Sequence, residues 1–322
     1  MTTERALPRL FLAAFAALAF AFASAACDRK APEPTPAPVV TQAPVGLATP
    51  KLTVHAAVDR LVAIGDLHGD LVSTRKALRL AGAIDEKDEW RGGSLVVVQT
   101  GDQIDRGDDD RAILDLFDTL RDKAKKAGGD VIAMSGNHEI MNAMADFRYV
   151  TPGAFAAFDD SDAKPANEQG RTKAFAPGGP YAKKLAARPV VVAIGDTVFV
   201  HGGILPKHVT YGLDRLNGEV AAFFTGTLPS PPKMLVAEDS PVWTRMYSAA
   251  PGREECVLLD EALRALGAKR MVVGHTVQRA GISTACEDHV FRIDTGLARY
   301  YGGPIEVLAL EKGTPRILRE PK

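Results

Sequence analysis

The chain has 322 residues, and 46% of them are hydrophobic. Its 39 Lys and Arg residues are balanced by 40 Asp and Glu residues, so the formal net charge is −1. This composition excludes a chain that is disordered throughout, which needs low hydrophobicity and high net charge, and it excludes recruitment of nucleic acid by net charge.

The first 26 residues are predicted to be a signal segment. Arg5 and Arg9 form a basic head, and an apolar run of 13 residues, 10–22, follows it. Such a run is too short to span a bilayer and has the length of a signal-peptide core. The small residues before Cys27 resemble a bacterial lipoprotein signal, with Cys27 as the lipidated first residue. Ordinary cleavage after Ala25 is the alternative; both predict export, and the first predicts a periplasmic protein anchored to a membrane by lipid.

Residues 27–50 are predicted to form a tether, because 31–50 is rich in Pro, Ala and Thr and can bury no core of its own. A globular domain then follows over 51–322. In it, helical patterns are predicted at 71–81, 109–127 and 260–266, with Asp70 and Asp109 as capping residues at two starts. Apolar runs predict strands at 61–65, 94–99, 131–135, 189–194, 197–201, 270–274, 290–294 and 305–310.

This alternation of strands and helices predicts the α/β class. Residues 143–185 interrupt it, because they are rich in Ala, Gly, Pro and Asp. We expect them to form a cap-like insertion or a long loop over a functional site. That site is predicted at the carboxyl ends of the strands, where α/β sheets present their functional loops.

Five short polar segments follow predicted strands. In one of them, Asp66 and His68 are two residues apart and can face the same way. A single short segment such as HGG or GHT is only a weak indication of a functional site. All five segments in this order, each at the end of a strand, indicate one common site. The segments are GDLHGD at 65–70, GDQIDRG at 101–107, GNHE at 136–139, HGG at 201–203 and GHT at 274–276.

The side chains in these segments are typical of a metal centre. Asp, His and Asn ligands without Cys favour Mn, Fe or Zn over a soft-metal site. Six such ligands are too many for one tetrahedral zinc ion. The pattern therefore predicts two ions that share one carboxylate.

Together, the segments resemble the calcineurin-like metallophosphoesterases, in particular the phosphoprotein phosphatase branch. The longer stretches GNHEIMN at 136–142 and PVWTRMY at 241–247 resemble the bacterial Shewanella-like protein phosphatases. The resemblance extends from about residue 61 to about residue 303. It implies the metallophosphoesterase four-layer α/β/β/α sandwich with two mixed β-sheets and a centre of two divalent or trivalent metal ions (Mn, Fe or Zn).

The resemblance also assigns the metal ligands. One carboxylate would bridge the two ions, which together clamp a phosphoryl group and acidify a water molecule. Asp66 and His68 would hold the first ion, Asp102 would bridge the two ions, and Asn137, His201 and His275 would complete the second.

Four further residues would act on the substrate. Arg106 and Arg245 would bind phosphate oxygens, which their planar guanidinium groups match well. His138 would be the general acid for the leaving oxygen, and Asp105 would orient it. The resemblance implies direct attack by a metal-bridging hydroxide, without a covalent enzyme intermediate.

The predicted function is therefore hydrolysis of phosphomonoesters in a protein, a peptide or a small molecule, with serine, threonine and tyrosine phosphates all open. One alternative is a dinucleoside polyphosphate hydrolase, which export disfavours because that substrate is cytoplasmic. The other is a non-catalytic, metal-dependent phosphate-binding module, which His138 and Arg106 disfavour because capture needs no proton donor. No nucleic-acid partner is expected. Contact with a membrane is expected only through the lipid anchor at Cys27.

Several residues outside the metal site carry separate expectations. Export permits a disulfide between Cys256 and Cys286, and whether it forms stays open because geometry decides it. Asp294, at the end of a predicted strand, is expected to support the site from a turn. His55 and His208 are predicted to have surface or loop roles.

Overall fold

The computed structural model of the protein describes residues 52–159 and 168–320. The predicted signal segment 1–26 and the tether 27–50 lie outside the described residues, as does 160–167 within the predicted insertion. Within the described ranges, no helix combines the length and the apolar character that crossing a membrane requires.

The described residues contain strands that match every predicted one, with bounds that differ by at most a few positions. The strands are β1 Val54–His55, β2 Arg60–Ile64, β3 Val96–Gln99, β4 Asp130–Ala133, β5 Val191–Ile194, β6 Thr197–Val200, β7 Arg270–Val273, β8 Ser283–Ala285, β9 Val290–Arg292, β10 Glu306–Glu311 and β11 Thr314–Arg319.

These strands form two mixed sheets, as the resemblance implies. The six-stranded sheet has the order β1-β5-β6-β7-β9-β8, in which β6, β7 and β9 run parallel. The five-stranded sheet has the order β11-β10-β2-β3-β4, in which β2, β3 and β4 run parallel. Because parallel strands end at the same edge of a sheet, the loops that follow them gather there.

Alternating side chains explain why the sheets stack face to face. Leu61 and Ala63 of β2 pack in one core with Phe199 of β6, between the two sheets. Val62, the residue between them, packs on the opposite face with Phe117 of a covering helix. Since successive strand residues point to opposite faces, fully apolar strands bury both faces and require a helix layer outside each sheet.

The helices cover these outer faces. They are α1 Leu71–Leu80, α2 Asp110–Lys126, α3 Asn137–Ala143, α4 Pro152–Ala156, α5 Glu168–Phe175, α6 Pro180–Leu185, α7 Pro206–Tyr211, α8 Leu213–Thr225, α9 Lys233–Val236 and α10 Arg253–Leu266. The predicted helix 71–81 is α1, and Asp70 caps it by accepting from the backbone N–H of Ser73 at 3.0 Å. Asp109 precedes α2 but accepts from Leu71 N–H instead, at 3.2 Å, which joins the starts of α1 and α2.

The structure adds elements that sequence periodicity did not predict. Strands β1, β8 and β11 are missed because they are short, or exposed at a sheet edge, and lack an apolar run. Helix α10 begins at Arg253, well before the predicted 260, because Glu255 accepts from the backbone N–H of Gly252 at 2.8 Å and so caps the start. Cys256 of α10 and Cys286 form a disulfide, which ties α10 to the turn between β8 and β9.

Candidate metal centre

The predicted metal ligands come together at the carboxyl ends of parallel strands from both sheets. All six are buried, although they come from segments that are up to about two hundred residues apart. Asp66 and His68 follow β2, Asp102 follows β3, Asn137 follows β4 at the start of α3, His201 follows β6, and His275 follows β7.

Asp102 lies at the centre of this cluster. Its Oδ2 atom is 3.2 Å from His201 Nε2, 3.9 Å from His68 Nε2 and 3.8 Å from His138 Nε2. Two overlapping groups that could each hold an ion share this carboxylate. Asp66 lies beside it, with its Oδ2 atom 3.8 Å from His68 Nε2. One of the two groups consists of Asp102, His68 and His138 and the other of Asp102, His201 and His275, so Asp102 is the residue that both share.

Backbone carbonyl groups orient the three predicted histidine ligands. His68 and His201 are each held through Nδ1, at 3.3 and 3.0 Å, and His275 is held through Nε2, at 3.0 Å. In a neutral imidazole, the nitrogen that contacts the carbonyl carries the proton, so the other nitrogen presents a lone pair to the centre. The carbonyl partners are Ile104, Thr100 and Trp243, respectively.

The donor set fits cations. His201 Nε2 lies 2.9 Å from Asn137 Oδ1 and 3.2 Å from Asp102 Oδ2, so nitrogen and oxygen atoms that can bind a cation lie close together. Burial, reinforced by neighbouring His138, lowers the pKa of His68 to about 3, and burial with His201 lowers the pKa of His275 to about 2. Neutral imidazoles of this kind are the form that binds metal.

Crowded carboxylates point the same way. Burial, together with the charges of Asp294 and Asp102, raises the pKa of Asp66 well above its usual range. Asp294 follows β9, and its Oδ2 atom is buried without a hydrogen-bond partner. Several carboxylates that are buried close together need cations to remain ionised. The oxygen and nitrogen donors fit Mn, Fe or Zn.

The backbone around the centre adopts a conformation that side chains disfavour. The φ angles are 44° at His68, 55° at Asp102, 70° at Asp105, 70° at Arg106 and 67° at His275. Left-handed backbone at non-glycine residues persists only where surrounding contacts hold it, and it is concentrated at functional sites. Spacing along the sequence gave no signal for this feature.

A glycine makes close approach possible at the start of α3. A Cβ atom at Gly136 would collide with the Asp102 carboxylate and lie 2.9 Å from the His201 ring. Glu139, in the first turn of the same helix, accepts from the backbone N–H groups of Gly136 at 2.7 Å, Asp102 at 3.0 Å and Gln103 at 2.8 Å. This carboxylate joins the two central loops, a role that the sequence did not reveal.

His138 and Asp105 form a buried pair beside the cluster. His138 Nδ1 lies 2.6 Å from Asp105 Oδ2, and its other nitrogen, Nε2, faces Asp102. Although burial alone would lower the pKa of His138, the charge of Asp102 and the hydrogen bond with Asp105 raise it. A protonated imidazole held in this way can donate a proton toward the centre.

The two predicted phosphate-binding arginines lie at different depths. Arg106 is half-buried, with its guanidinium carbon 4.0 Å from the centre of the Tyr149 ring and 5.0 Å from that of Tyr300. Its Nη1 atom donates to the Tyr300 hydroxyl at 3.0 Å. Arg245 is exposed, and its Nη1 atom donates to the His275 carbonyl at 2.7 Å. The sequence did not predict the two tyrosines, because they lie in separate loops without a local pattern.

Comparisons with known proteins agree with this geometry. The family model described as calcineurin-like phosphoesterase matches residues 59–279. The chain belongs to this family. Shewanella-like protein phosphatase 2 of Arabidopsis thaliana is 39% identical over 281 residues, which cover 75% of this chain and 72% of the relative. Shewanella-like protein phosphatase 1 of Plasmodium berghei (strain Anka) is 32% identical over 257 residues, which cover 76% of this chain and 69% of the relative.

Solved structures give the same result for this calcineurin-like phosphoesterase. A crystal structure of a point mutant of cold-active protein tyrosine phosphatase matches with a TM-score of 0.71 and 25% identity. The match covers 84% of this chain and 83% of that one. The predicted fold and family are therefore confirmed. The protein is a hydrolase of phosphoester bonds, and its family uses a dinuclear metal centre.

Proposed function

We propose that this calcineurin-like phosphoesterase is a metal-dependent phosphomonoester hydrolase that acts on phosphorylated proteins or peptides. The observation that carries the proposal is the His138–Asp105 pair, 2.6 Å apart, with His138 Nε2 directed at Asp102. Capture of phosphate alone requires no proton donor, whereas release of an alkoxide or phenoxide does. The pair therefore favours an enzyme over a phosphate-binding module.

The residues divide into three roles under this proposal. His138 donates a proton to the leaving oxygen through Nε2, and Asp105 holds the ring through Nδ1. Arg106 and Arg245 bind and orient phosphate oxygens. When two Mn, Fe or Zn ions are bound, they neutralise phosphoryl charge and acidify a water molecule. The residues that would hold them are Asp66, His68, Asp102, Asn137, His201 and His275.

Phosphotyrosine is the substrate that the surroundings of Arg106 favour. Tyr149, Tyr300 and Tyr301 surround its guanidinium carbon at 4.0, 5.0 and 5.9 Å from their ring centres. An aryl phosphate whose phosphate contacts Arg106 brings its own ring among these rings, where aromatic contacts are favourable. The solved structure with a TM-score of 0.71 is also that of a protein tyrosine phosphatase.

The test is phosphate release by the full chain with Mn²⁺ and, in parallel, with a chelator. Phosphotyrosine, phosphoserine and phosphothreonine peptides of one sequence are compared with diadenosine tetraphosphate. We expect metal-dependent release from the peptides, fastest from phosphotyrosine. Cleavage of the dinucleotide alone would replace the proposal with the nucleotide alternative, and binding of phosphate without turnover would replace it with the binding module.

We further propose that the protein is exported and anchored by lipid at Cys27. The basic head, the apolar run at 10–22 and the small residues before Cys27 support this location. The Cys256–Cys286 disulfide agrees with an oxidising compartment. Labelled palmitate should enter the wild-type protein in a bacterial host and be lost in Cys27→Ser. Equal labelling of both, or recovery of the wild-type protein with its signal segment uncleaved, would contradict the proposal.

A further inference from the structure

We propose that Arg171 is a positioning residue for catalysis, which fixes the Asp105 carboxylate so that His138 presents Nε2 to the metal centre. This inference rests on the proposed function. Arg171 lies on α5, in the predicted insertion and far in sequence from the five motifs. Its side chain is fully buried.

The contacts of Arg171 place it directly behind the acid pair. Its Nη2 atom donates to Asp105 Oδ1 at 3.0 Å and to Asp110 Oδ2 at 2.6 Å, and its Nε atom donates to Asn142 Oδ1 at 2.7 Å. Asn142 in turn donates to both oxygens of Asp105, at 3.1 and 3.2 Å. The guanidinium and the amide therefore hold Asp105 from one side.

These contacts fix the orientation of the Asp105 carboxylate relative to His138. Because Oδ1 is bound by Arg171, Oδ2 is turned toward His138 Nδ1, at 2.6 Å. That bond keeps the proton on Nδ1 and sets the plane of the ring. Asp105 itself has a φ angle of 70°, a conformation that must be held by its neighbours. Asp110 also stabilises this backbone conformation, since its Oδ1 atom accepts a hydrogen bond from the Asp105 backbone N–H at 3.0 Å.

A purely structural role explains these contacts less well. A fully buried guanidinium loses its hydration, and well-packed apolar side chains often give equal or greater stability at such sites. The aromatic rings of Phe158 and Phe175, with centres 5.2 and 5.0 Å from the guanidinium carbon, already supply apolar surroundings. An apolar residue could not supply the hydrogen bonds to Asp105, Asp110 and Asn142, and of these three partners Asp105 is the one that contacts the His138 ring.

The experiment compares two substrates that differ in their need for an acid. Phenyl phosphate has a poor leaving group, whereas 4-nitrophenyl phosphate releases a phenolate that needs little protonation. In Arg171→Met, reconstituted with Mn²⁺, we expect kcat on phenyl phosphate to fall about tenfold more than kcat on 4-nitrophenyl phosphate. His138→Gln serves as the reference for complete loss of the acid and should show the same selectivity, more strongly.

Leu185→Ala is the matched control, because Leu185 is buried in α6 of the same insertion and is packed in the apolar core. It should lower the melting temperature without changing the ratio of the two kcat values. Equal losses on both substrates in Arg171→Met would overturn the proposal. If Arg171→Met does not fold, Arg171→Lys replaces it, since a single ammonium group keeps the charge but not the fork that joins Asp105 to Asn142.

A spectroscopic measurement separates this proposal from the proposed function. In the metal-free protein, the proton between His138 Nδ1 and Asp105 should give a low-field ¹H NMR signal, identified by its loss in His138→Gln. We expect the signal to be lost or shifted in Arg171→Met and kept in Leu185→Ala. If the wild-type chain hydrolyses neither phosphate, the proposed function fails, and an unchanged signal in Arg171→Met would still overturn the role of Arg171 independently.

Discussion

The Nε2 atom of His201 lies 3.2 Å from the Nδ1 atom of His275. Each ring uses its other nitrogen to bind a backbone carbonyl, so in the neutral rings two lone pairs would face each other across this gap. Two lone pairs repel at this distance unless a cation, either a proton or a metal ion, lies between or near them. This contact between two histidines from different motifs indicates a metal-binding site more directly than any single motif does.

Removal of metal should therefore destabilise the protein as well as inactivate it. A ligand present at a hundred times its Kd stabilises the folded state by about 2.7 kcal/mol. We expect chelation to lower the melting temperature in calorimetry and Mn²⁺ to restore it. His201→Ala should bind fewer than two equivalents of metal by elemental analysis, and His289→Ala, which changes a histidine paired with Asp260 outside the centre, should keep two. An identical melting temperature with and without chelator would contradict this prediction.

The effect on kcat of removing the general acid His138 should depend on the leaving group of the substrate. His138→Gln removes the imidazole that Asp105 holds at 2.6 Å. General acid catalysis contributes about 10²–10⁴-fold, so kcat on phenyl phosphate should fall within that range, while 4-nitrophenyl phosphate is affected less. Steady-state kinetics at matched metal content measure both. Unchanged turnover of phenyl phosphate would show that another group protonates the leaving oxygen.

Arg106→Lys should weaken binding of the substrate phosphate although the positive charge is kept. A lysine keeps the charge but lacks the planar fork that can bind phosphate oxygens while it donates to the Tyr300 hydroxyl, which Arg106 does at 3.0 Å. Charge-assisted hydrogen bonds contribute about 1.5–3 kcal/mol, so kcat/KM should fall by about 10- to 150-fold. Arg148→Lys is the control, because Arg148 is paired with Asp146 on the surface. Similar kinetics for the two variants would argue against phosphate binding by Arg106.

Stability at mildly acidic pH should depend on His208, for which the sequence predicted a surface or loop role but which the structure buries in α7. That prediction was wrong because the helix, rather than the local polarity, decides the direction of this side chain. Burial, together with the charge of Lys207, lowers the pKa of His208 to about 4 from an unfolded value near 6.5. Between these values the unfolded chain takes up a proton that the folded chain does not, so stability falls as pH falls through 6.5 toward 4.

The corresponding measurement is urea unfolding at pH 7.5 and pH 5, with chelator present throughout. His208 should account for about 2 kcal/mol of the difference between the two pH values. His208→Asn can keep an acceptor for the Leu205 N–H, now 3.0 Å from Nδ1, and should show a smaller pH dependence. His55→Asn, at an exposed position of β1, should behave like the wild type. If the unfolding free energy changed equally between the two pH values in all three proteins, His208 would be excluded as the source of the pH dependence.

Much of the fold could be predicted because apolar runs are long and unambiguous in buried strands. Every predicted strand is present, whereas the short edge strands β1 and β8 are not detectable, since the two exposed residues of β1 and the three half-buried residues of β8 are too few to show periodicity. The segment 143–185 was distinguished only by its composition, and its role as a cap-like insertion stays a prediction. Its contribution to the site through Tyr149 and Arg171 had no local signal, because a single tyrosine or arginine in a loop or short helix has many ordinary uses.

The amino-acid sequence alone was enough to predict the fold class, the family and which polar side chains come together at the strand ends; their roles as metal ligands stay predictions. Polar side chains at the ends of parallel strands converge wherever the sheet forms, so local motifs carry that information. The tertiary structure decided which atom faces which. The tautomers of the histidines, the side of Asp105 that His138 contacts and the burial of Arg171 depend on residues that are distant in sequence. Such contacts are set by packing between elements, which no local pattern encodes.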